Sequence, residues 1–256
     1  MDKKTFLNSM GLVEASISSK LYEKIMLAEK INGTIYTGEF YTPNVWKTIE
    51  KVETGFSIGV YTYGIFEDAE RKMIAFSNEE PWHYPVSLIK ITCNSKFNKV
   101  EHKDYLGALM ALGIRREKFG DLILKDDQCY VAANEEISDY IKINLTSVGR
   151  CACTVEVADT SITEVPAYDF QTMVVNVASL RIDGVVASLC NIARGKAEEL
   201  IKQGKVLVDY SEVSRKDKLL KNDCIITIRG YGKFKVIEEA GWTGSGRIKI
   251  LVKKFI

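Results

Sequence analysis

The chain has 256 residues, of which 46% are hydrophobic, and its formal net charge is +1. This length suggests two or three domains with sizeable cores, and no apolar run is long enough to span a bilayer. The first residues, MDKKTFLNSM, lack the apolar segment of a secretory signal, so a cytoplasmic protein is expected. Six scattered cysteines favour a reduced compartment over a disulfide framework.

The near-neutral net charge conceals a difference between the two parts of the chain. Residues 181–256 contain 16 Lys and Arg against 9 Asp and Glu, hence +7. Residues 1–180 contain 19 against 25, hence −6. A polyanion would therefore be attracted to the C-terminal part, with an affinity that falls as the salt concentration rises.

Residues 1–80 are predicted to form an α/β domain. A helical start over residues 1–31 carries apolar residues, Leu12 among them, at a near-helical period, and Asn32-Gly33 ends it. The elements predicted next are an extended run over 34–40, a helix opened by Pro43, and strands over 55–61 and 73–76. The sequence assigns no role to this acidic region.

Residues 81–165 are predicted to form a ferredoxin-like domain, because the elements follow the order βαββαβ. The predicted elements are a strand over 86–92, a helix over 102–112, hairpin strands over 121–125 and 129–133 that turn at Asp126-Asp127, a helix over 135–144 and a strand over 151–157. Many RNA-binding sheets share this order. The strand at 129–133 lacks the aromatic and basic residues of an RRM, so base stacking on this sheet is not predicted. A linker is expected over 159–169, followed by an extended segment over 170–177.

Residues 174–256 contain two short helices followed by a compact strand unit. Asp183 is predicted to cap the N-terminus of the first helix. The second helix is predicted from Arg194 to Gln203, and Gly204 ends it as a C-terminal cap would. The strands predicted next lie over 205–209, 223–229, 234–238 and 247–252.

This C-terminal part resembles the S-four-type (alpha-L) RNA-binding domain. The matching residues are Arg181-Ile-Asp183, Ala193-Arg194-Gly-Lys196-Ala197, Ile201-x-x-Gly204-x-Val206-x-Val208, Lys218, Asp223 and Ile228-Arg229-Gly230. Such domains often carry Ser where this chain has Ala193, and that residue would cap the second helix. The residues predicted to bind RNA are Arg181, Asp183, Arg194, Lys196, Lys202, Lys205, Lys218 and Arg229, with amide donors at the start of the second helix.

A second informative stretch runs from Glu101 to Asp121. Gly113 is predicted to end its helix, and Arg115 and Arg116 follow in the next loop. Cations just past a helix C-terminus favour the helix dipole, whereas exposed guanidinium groups also bind phosphate, and the residues alone leave both interpretations open.

Here the chain resembles the YlmH family of bacterial RNA-binding proteins. The matching residues are His102-Lys-Asp-Tyr-Leu-Gly-Ala108, Leu112-Gly-Ile-Arg-Arg-Glu-Lys118, Gly120-Asp121, Ala69-Glu-Arg-Lys72 and Val148-Gly-Arg150. Family members more usually have Arg at the position of Lys103 and Tyr at that of Phe66. The resemblance favours RNA contact by Arg115 and Arg116. It implies binding to the large ribosomal subunit and to tRNA, a role in rescue of stalled nascent chains, and a gene placed among cell-division genes.

The sequence therefore predicts a multi-domain α+β protein that binds RNA and is not an enzyme. No catalytic residue, metal or cofactor is predicted, since Cys151-Ala-Cys153 is more simply a pair of buried thiols than half a metal site. The expected partners are rRNA, tRNA and the large ribosomal subunit, with no membrane and no DNA.

Two alternatives remain open. An RNA-modifying enzyme of pseudouridine-synthase type would need a catalytic Asp, for which Asp183 and Asp68 are the acids to test, but the rest of the chain is short for its catalytic domain. A protein-interaction scaffold linked to cell division or translation would co-purify with its partners through nuclease treatment and high salt.

Overall fold

The chain folds into two compact units, residues 1–167 and 168–256. This is seen in a computed structural model that describes residues 1–52, 55–93 and 100–256. The predicted class, a multi-domain α+β protein, is confirmed by the several sheets and helices. The first unit contains two separate hydrophobic clusters, one in each of its halves, and the second unit has its own. The domain boundaries expected from the sequence stay predictions.

The first half of unit one is a three-stranded antiparallel sheet with helices. Its elements are α1 (Lys3–Ser9), α2 (Ala15–Ile31), β1 (Ile35–Tyr41), α3 (Pro43–Val52), β2 (Gly59–Tyr63) and β3 (Lys72–Ser77), with the strand order β1-β3-β2. The helical start is two helices rather than one, because Gly11 takes a left-handed backbone with φ of 61° between them. Leu12 lies in this connection and is 93% exposed, so its predicted place on the apolar helix face is wrong.

The second half of unit one has the predicted ferredoxin-like topology. Its elements are β4 (Val86–Cys93), α4 (His102–Ala111), β5 (Phe119–Lys125), β6 (Gln128–Asn134), α5 (Ser138–Asn144), β7 (Ser147–Val148) and β8 (Cys151–Ala158). The sheet order is β5-β6-β4-β8-β7, with every pairing antiparallel. The first strand of the βαββαβ motif therefore lies between its third and its last. Asp126 and Asp127 both take positive φ in the tight turn, as the hairpin prediction requires.

Unit two is a six-stranded antiparallel sheet with two helices on one face. Its elements are β9 (Phe170–Val177), α6 (Ile182–Cys190), α7 (Arg194–Lys202), β10 (Val206–Val208), β11 (Ser211–Glu212), β12 (Cys224–Ile228), β13 (Gly232–Trp242) and β14 (Ile248–Phe255), in the order β11-β10-β12-β13-β14-β9. The segment over 170–177, predicted only as extended, pairs with β14 along its whole length. The last strand of the chain thus brings β9 into the sheet.

The two helices of unit two are fixed by a buried apolar layer. Alternate residues of the central strands, such as Ile226, Phe234 and Val252, point to the same side and pack with the apolar faces of α6 and α7. Gly204 takes φ of 64° directly after the C-cap residue of α7, and its amide donates to the Ile201 carbonyl at 3.0 Å. The predicted termination of this helix at Gly204 is confirmed.

Candidate nucleic-acid interface

Asp183 is the centre of a charged cluster at the start of the two helices of unit two. Its carboxylate is fully buried and accepts hydrogen bonds from two guanidinium groups. The Arg181 Nη2 atom lies 3.0 Å from Oδ2, and the Arg194 Nη2 atom lies 2.7 Å from the same oxygen. The other oxygen, Oδ1, accepts from the Gly184 amide at 2.8 Å. One buried acid therefore fixes two arginines that come from different helices.

The charge of this acid is maintained by its partners. Burial opposes ionisation, but hydrogen bonds from Arg181 and Arg194 outweigh it and lower the pKa of the Asp183 carboxyl below its ordinary value of 3.8. The two arginine side chains keep 37% and 53% of their surface exposed. They can therefore meet a ligand, whereas Asp183 cannot. A carboxylate occupied on both oxygens positions the arginines and is not arranged as a general base.

The start of α6 is satisfied by a neighbouring segment rather than by a side-chain cap. The Ile182 amide donates to the Lys218 carbonyl at 2.9 Å, and the Asp183 amide donates to the Lys216 carbonyl at 3.3 Å. Arg181 occupies the N-cap position, and Asp183 lies inside the first turn. The predicted N-cap role of Asp183 is therefore wrong. Backbone carbonyls of the 216–218 segment accept from the first amides of α6, where the Asp183 side chain was expected to act as the acceptor. This pairing brings the exposed Lys218 beside the arginine cluster.

The start of α7 carries Arg194 and Lys196 without a side-chain cap. Ala193 occupies the N-cap position, and alanine has no side-chain oxygen to accept from the first-turn amides. Lys196 is exposed and pairs with Glu199 at 2.9 Å within the helix. Arg194 is the only one of these two cations that Asp183 holds.

A second group of predicted cations lies where α7 ends. Lys202 is in the last turn of the helix, and Lys205 follows the Gly204 termination. The Arg229 amide donates to the Lys205 carbonyl at 2.9 Å, which brings these two residues together. All three side chains are exposed. The eight residues predicted for this unit thus divide into a cluster around Asp183, the first-turn Lys196, and a group at the end of α7.

The two arginines predicted in unit one differ in their surroundings. The Arg115 side chain is 61% exposed, and its Nη2 atom lies 2.7 Å from the Glu39 carboxylate. The Arg116 Nη1 atom donates to the carbonyls of Phe119 at 2.7 Å and Gly120 at 3.1 Å. Arg116 therefore braces the loop, and Arg115 is the one displayed on its surface. A groove of about 350 Å³ beside Arg115 is lined also by Lys20, Arg71, Glu14, Glu39 and Glu117.

The sequence did not predict a hydrogen-bonded contact, here called the joint, between two of the motifs that resemble the YlmH family, Ala69-Glu-Arg-Lys72 and Gly120-Asp121. The Asp121 carboxylate accepts from the backbone amides of Glu70 at 2.5 Å and Arg71 at 3.2 Å. The Arg71 side chain in turn donates to the carbonyls of Phe119 at 3.2 Å and Phe40 at 3.0 Å. Asp121 lies about fifty positions after Glu70 and Arg71 in the chain. Their co-occurrence in the motifs was the available signal, and the joint holds the two halves of the unit together.

Several other features bear on chemistry and location. Within the described ranges, no three His, Cys, Asp or Glu side chains are grouped as a metal ion would need. Burial raises the pKa of the Cys153 and Cys190 thiols to about 11, so these are poor nucleophiles near neutral pH. None of the described helices is both long and apolar enough to cross a membrane.

The chain is similar to several known proteins. Residues 80–164 match the family model described as "Putative RNA-binding domain in YlmH". The chain is 27% identical over 220 residues to "Ribosome-associated protein quality control protein P2" of Bacillus subtilis (strain 168), which covers 84% of this chain and 86% of the relative. The solved structure "Cell division protein ylmH from Streptococcus pneumoniae" is similar with a TM-score of 0.48 and 20% identity, over 58% of this chain and 94% of that chain. The predicted resemblance to the YlmH family is confirmed by the family model and the Bacillus relative.

Proposed function

We propose that the chain is a non-enzymatic RNA-binding protein that associates with the large ribosomal subunit, contacts rRNA and tRNA, and acts in the rescue of stalled translation. The observation that carries the proposal is the buried Asp183, which holds the exposed guanidinium groups of Arg181 and Arg194 in fixed positions. Fixed guanidinium forks suit the phosphates of structured RNA. The name of the Bacillus relative, a ribosome-associated quality control protein, supports the ribosomal context.

In this proposal, unit two is an S-four-type RNA-binding module. Arg181, Arg194 and Lys218 form its main RNA-binding site, here called the grip. The backbone pairing between the start of α6 and the 216–220 segment brings them together. Lys196, Lys202, Lys205 and Arg229 add phosphate contacts around it. Asp183 acts by positioning, since its own side chain is buried.

Unit one supplies a second RNA contact through Arg115. This residue lies within residues 80–164, which match the family model of a putative RNA-binding domain. Arg116 supports that contact indirectly by bracing the loop through two backbone carbonyls. Because ribosomes are the partner, the cytoplasm is the proposed location.

Sedimentation with purified large ribosomal subunits tests the proposal. The native chain should pellet with the subunits at low salt, and the Arg181→Ala, Arg194→Ala double variant should largely remain in the supernatant. For a structured RNA, the slope of log affinity against log salt should fall by roughly 1 for each lost phosphate contact. Arg215→Ala is a control for the single variants Arg181→Ala and Arg194→Ala, because Arg215 is also exposed in this unit but pairs with the exposed Asp217 instead of Asp183.

Three outcomes would contradict the proposal. If the double variant pellets as the native chain does, with the same salt dependence, the Asp183 cluster is not the grip. If association survives both nuclease treatment and high salt, protein contacts dominate, and the interaction-scaffold alternative becomes the better description. Pseudouridine that appears within RNA incubated with the chain would instead favour the enzyme alternative.

A further inference from the structure

The sheet of unit two has a second face, opposite to the one that carries α6 and α7. On β13 and β14, the residues Phe234, Val236, Ile250 and Val252 are buried on the helix side. Strand alternation therefore directs Lys233, Lys235 and Lys253 to the other side of the sheet. The Asp183 cluster belongs to the helices, so these lysines form a separate surface of the same unit.

Aromatic rings are interleaved with these lysines. The Lys253 ammonium lies 4.8 Å from the centre of the Phe170 ring, and the Lys233 ammonium lies 5.2 Å from that of Phe255. Phe170 and Phe255 are cross-strand partners whose ring centroids are 4.9 Å apart. Tyr168 packs edge-on against Phe255 at 5.3 Å. All five side chains are only partly buried, so ring and ammonium surfaces both reach solvent.

The line of alternating cations and rings extends across the sheet. Lys233 also lies 5.4 Å from the Tyr210 ring and 3.3 Å from its hydroxyl oxygen, in the turn between β10 and β11. We call the set Lys233, Lys235, Lys253, Phe170, Phe255, Tyr168 and Tyr210 the lysine–aromatic face. It crosses from the β10–β11 turn at one edge to β9 at the other.

Two lysines of this face are cross-strand neighbours, so one phosphate group could contact both. Lys235 and Lys253 are directly opposite each other on β13 and β14. Like charges in that relation destabilise a sheet. An Asp223 carboxylate oxygen lies 3.3 Å from the Lys235 ammonium, so this pair already has an acidic neighbour. A phosphate group over the pair would interact favourably with both ammonium charges.

We propose that the lysine–aromatic face binds unpaired RNA, with bases against the rings and phosphates on the lysines. Single strands expose base faces that can stack on aromatic side chains, whereas a duplex keeps its bases covered. Lysine offers a mobile point charge rather than the planar fork of arginine, which suits a backbone without fixed geometry. Structured RNA would then bind to the arginines on the helix side of unit two, and a single strand would bind to the opposite face of the sheet.

This inference rests on the proposed function only in taking RNA as the ligand, and its test is independent. The probe is a fluorescently labelled oligouridylate of about 10 nucleotides, within the site sizes common for such surfaces. Affinity is measured by anisotropy at several salt concentrations. The test variant is Lys233→Met with Lys253→Met, because methionine keeps an apolar cover over Phe255 and Phe170 but removes the charge.

The double variant should bind the oligouridylate about tenfold more weakly near ~0.1 M salt, and its salt slope should fall by roughly 1.4, about 0.7 for each lost contact. The corresponding Lys→Arg double variant should restore most of the affinity. Phe255→Leu should weaken binding about fivefold through lost stacking while leaving the salt slope unchanged. Lys4→Met with Lys142→Met, in unit one, removes the same charge and should have little effect.

The Arg181→Ala, Arg194→Ala variant separates this inference from the proposed function. It should lose structured RNA but still bind the oligouridylate. The inference is overturned if the Lys233→Met, Lys253→Met variant binds the probe with native affinity and slope, or if the native chain does not bind it. In either case the contacts between the lysines and the rings are structural and do not form an RNA-binding surface. If the double variant does not fold, the single variants Lys233→Gln and Lys253→Gln decide the question, each with an expected slope reduction of about 0.7.

Discussion

Replacing Asp183 with asparagine tests whether a buried acid organises an RNA grip that it cannot touch. The substitution keeps the size of the side chain and one acceptor oxygen. It removes the negative charge that holds Arg181 at 3.0 Å and Arg194 at 2.7 Å. Two guanidinium groups are then left beside a neutral amide, and one of the amide's atoms is a donor that repels them.

The expected loss of stability follows from these contacts. Hydrogen bonds to a charged group contribute about 1.5–3 kcal/mol each when desolvated. Because both arginine side chains are substantially exposed, solvent screening reduces the total for the Asp183 carboxylate to about 2 kcal/mol. The folded-state pKa of Asp183 is lowered, so this contribution is present above the ordinary value of 3.8 and is lost as the pH falls through the lower folded-state value.

The affinity for RNA is expected to fall in this variant, although its change in net charge alone would raise it. Asp183→Asn makes the protein one unit more positive, which by itself would strengthen binding to a polyanion. Loss of two pre-positioned side chains costs about 0.5–1.5 kcal/mol each on binding, so affinity for structured RNA should instead fall roughly tenfold. A fall in affinity therefore reports positioning rather than electrostatics.

Urea unfolding at neutral pH and at about pH 3, with RNA titrations at neutral pH, measures both effects. The stability difference between native and variant should be clear at neutral pH and shrink in acid. Asp217→Asn is the control, because Asp217 pairs with Arg215 on the surface and its loss should change stability little. If Asp183→Asn binds RNA as tightly as the native chain, or more tightly, Asp183 does not organise the site.

Three further predictions concern the scaffold. Asp121→Ala should destabilise unit one by about 2–3 kcal/mol, because the buried Glu70 amide loses its acceptor; urea unfolding measures this, and a change near zero would mean that the joint is not needed. Gly204→Ala should cost about 1 kcal/mol because φ is 64°, whereas Gly195→Ala inside α7 should be neutral or stabilising; equal effects would contradict the left-handed cap. Site-resolved alkylation of Cys153 should be slow at pH 7 and still accelerate above pH 9, because burial raises its pKa to about 11; a plateau near pH 9 would show an ordinary thiol.

Local signals in the sequence determined much of this protein. The terminations at Gly113 and Gly204 require φ values that glycine adopts without strain, and each glycine directly follows the C-cap residue of its helix. The order of elements from Val86 to Ala158 was sufficient for the ferredoxin-like topology, because crossover rules leave few ways to arrange that series in one sheet. The concentration of positive charge after residue 180 is likewise a property of composition alone.

Only the tertiary structure decided which of those residues meet. Asp183 looked like a helix cap, and its burial beneath two arginines depends on how α6 approaches α7. Strand β9 had no visible partner until β14, more than seventy positions away, supplied one. The joint at Asp121 and the lysine–aromatic face both depend on strand register, which sets the residues that share a face or oppose one another. Periodicity along the chain shows which residues share a face of a helix or strand. Packing and strand register involve distant segments, and they decide which of these faces come together.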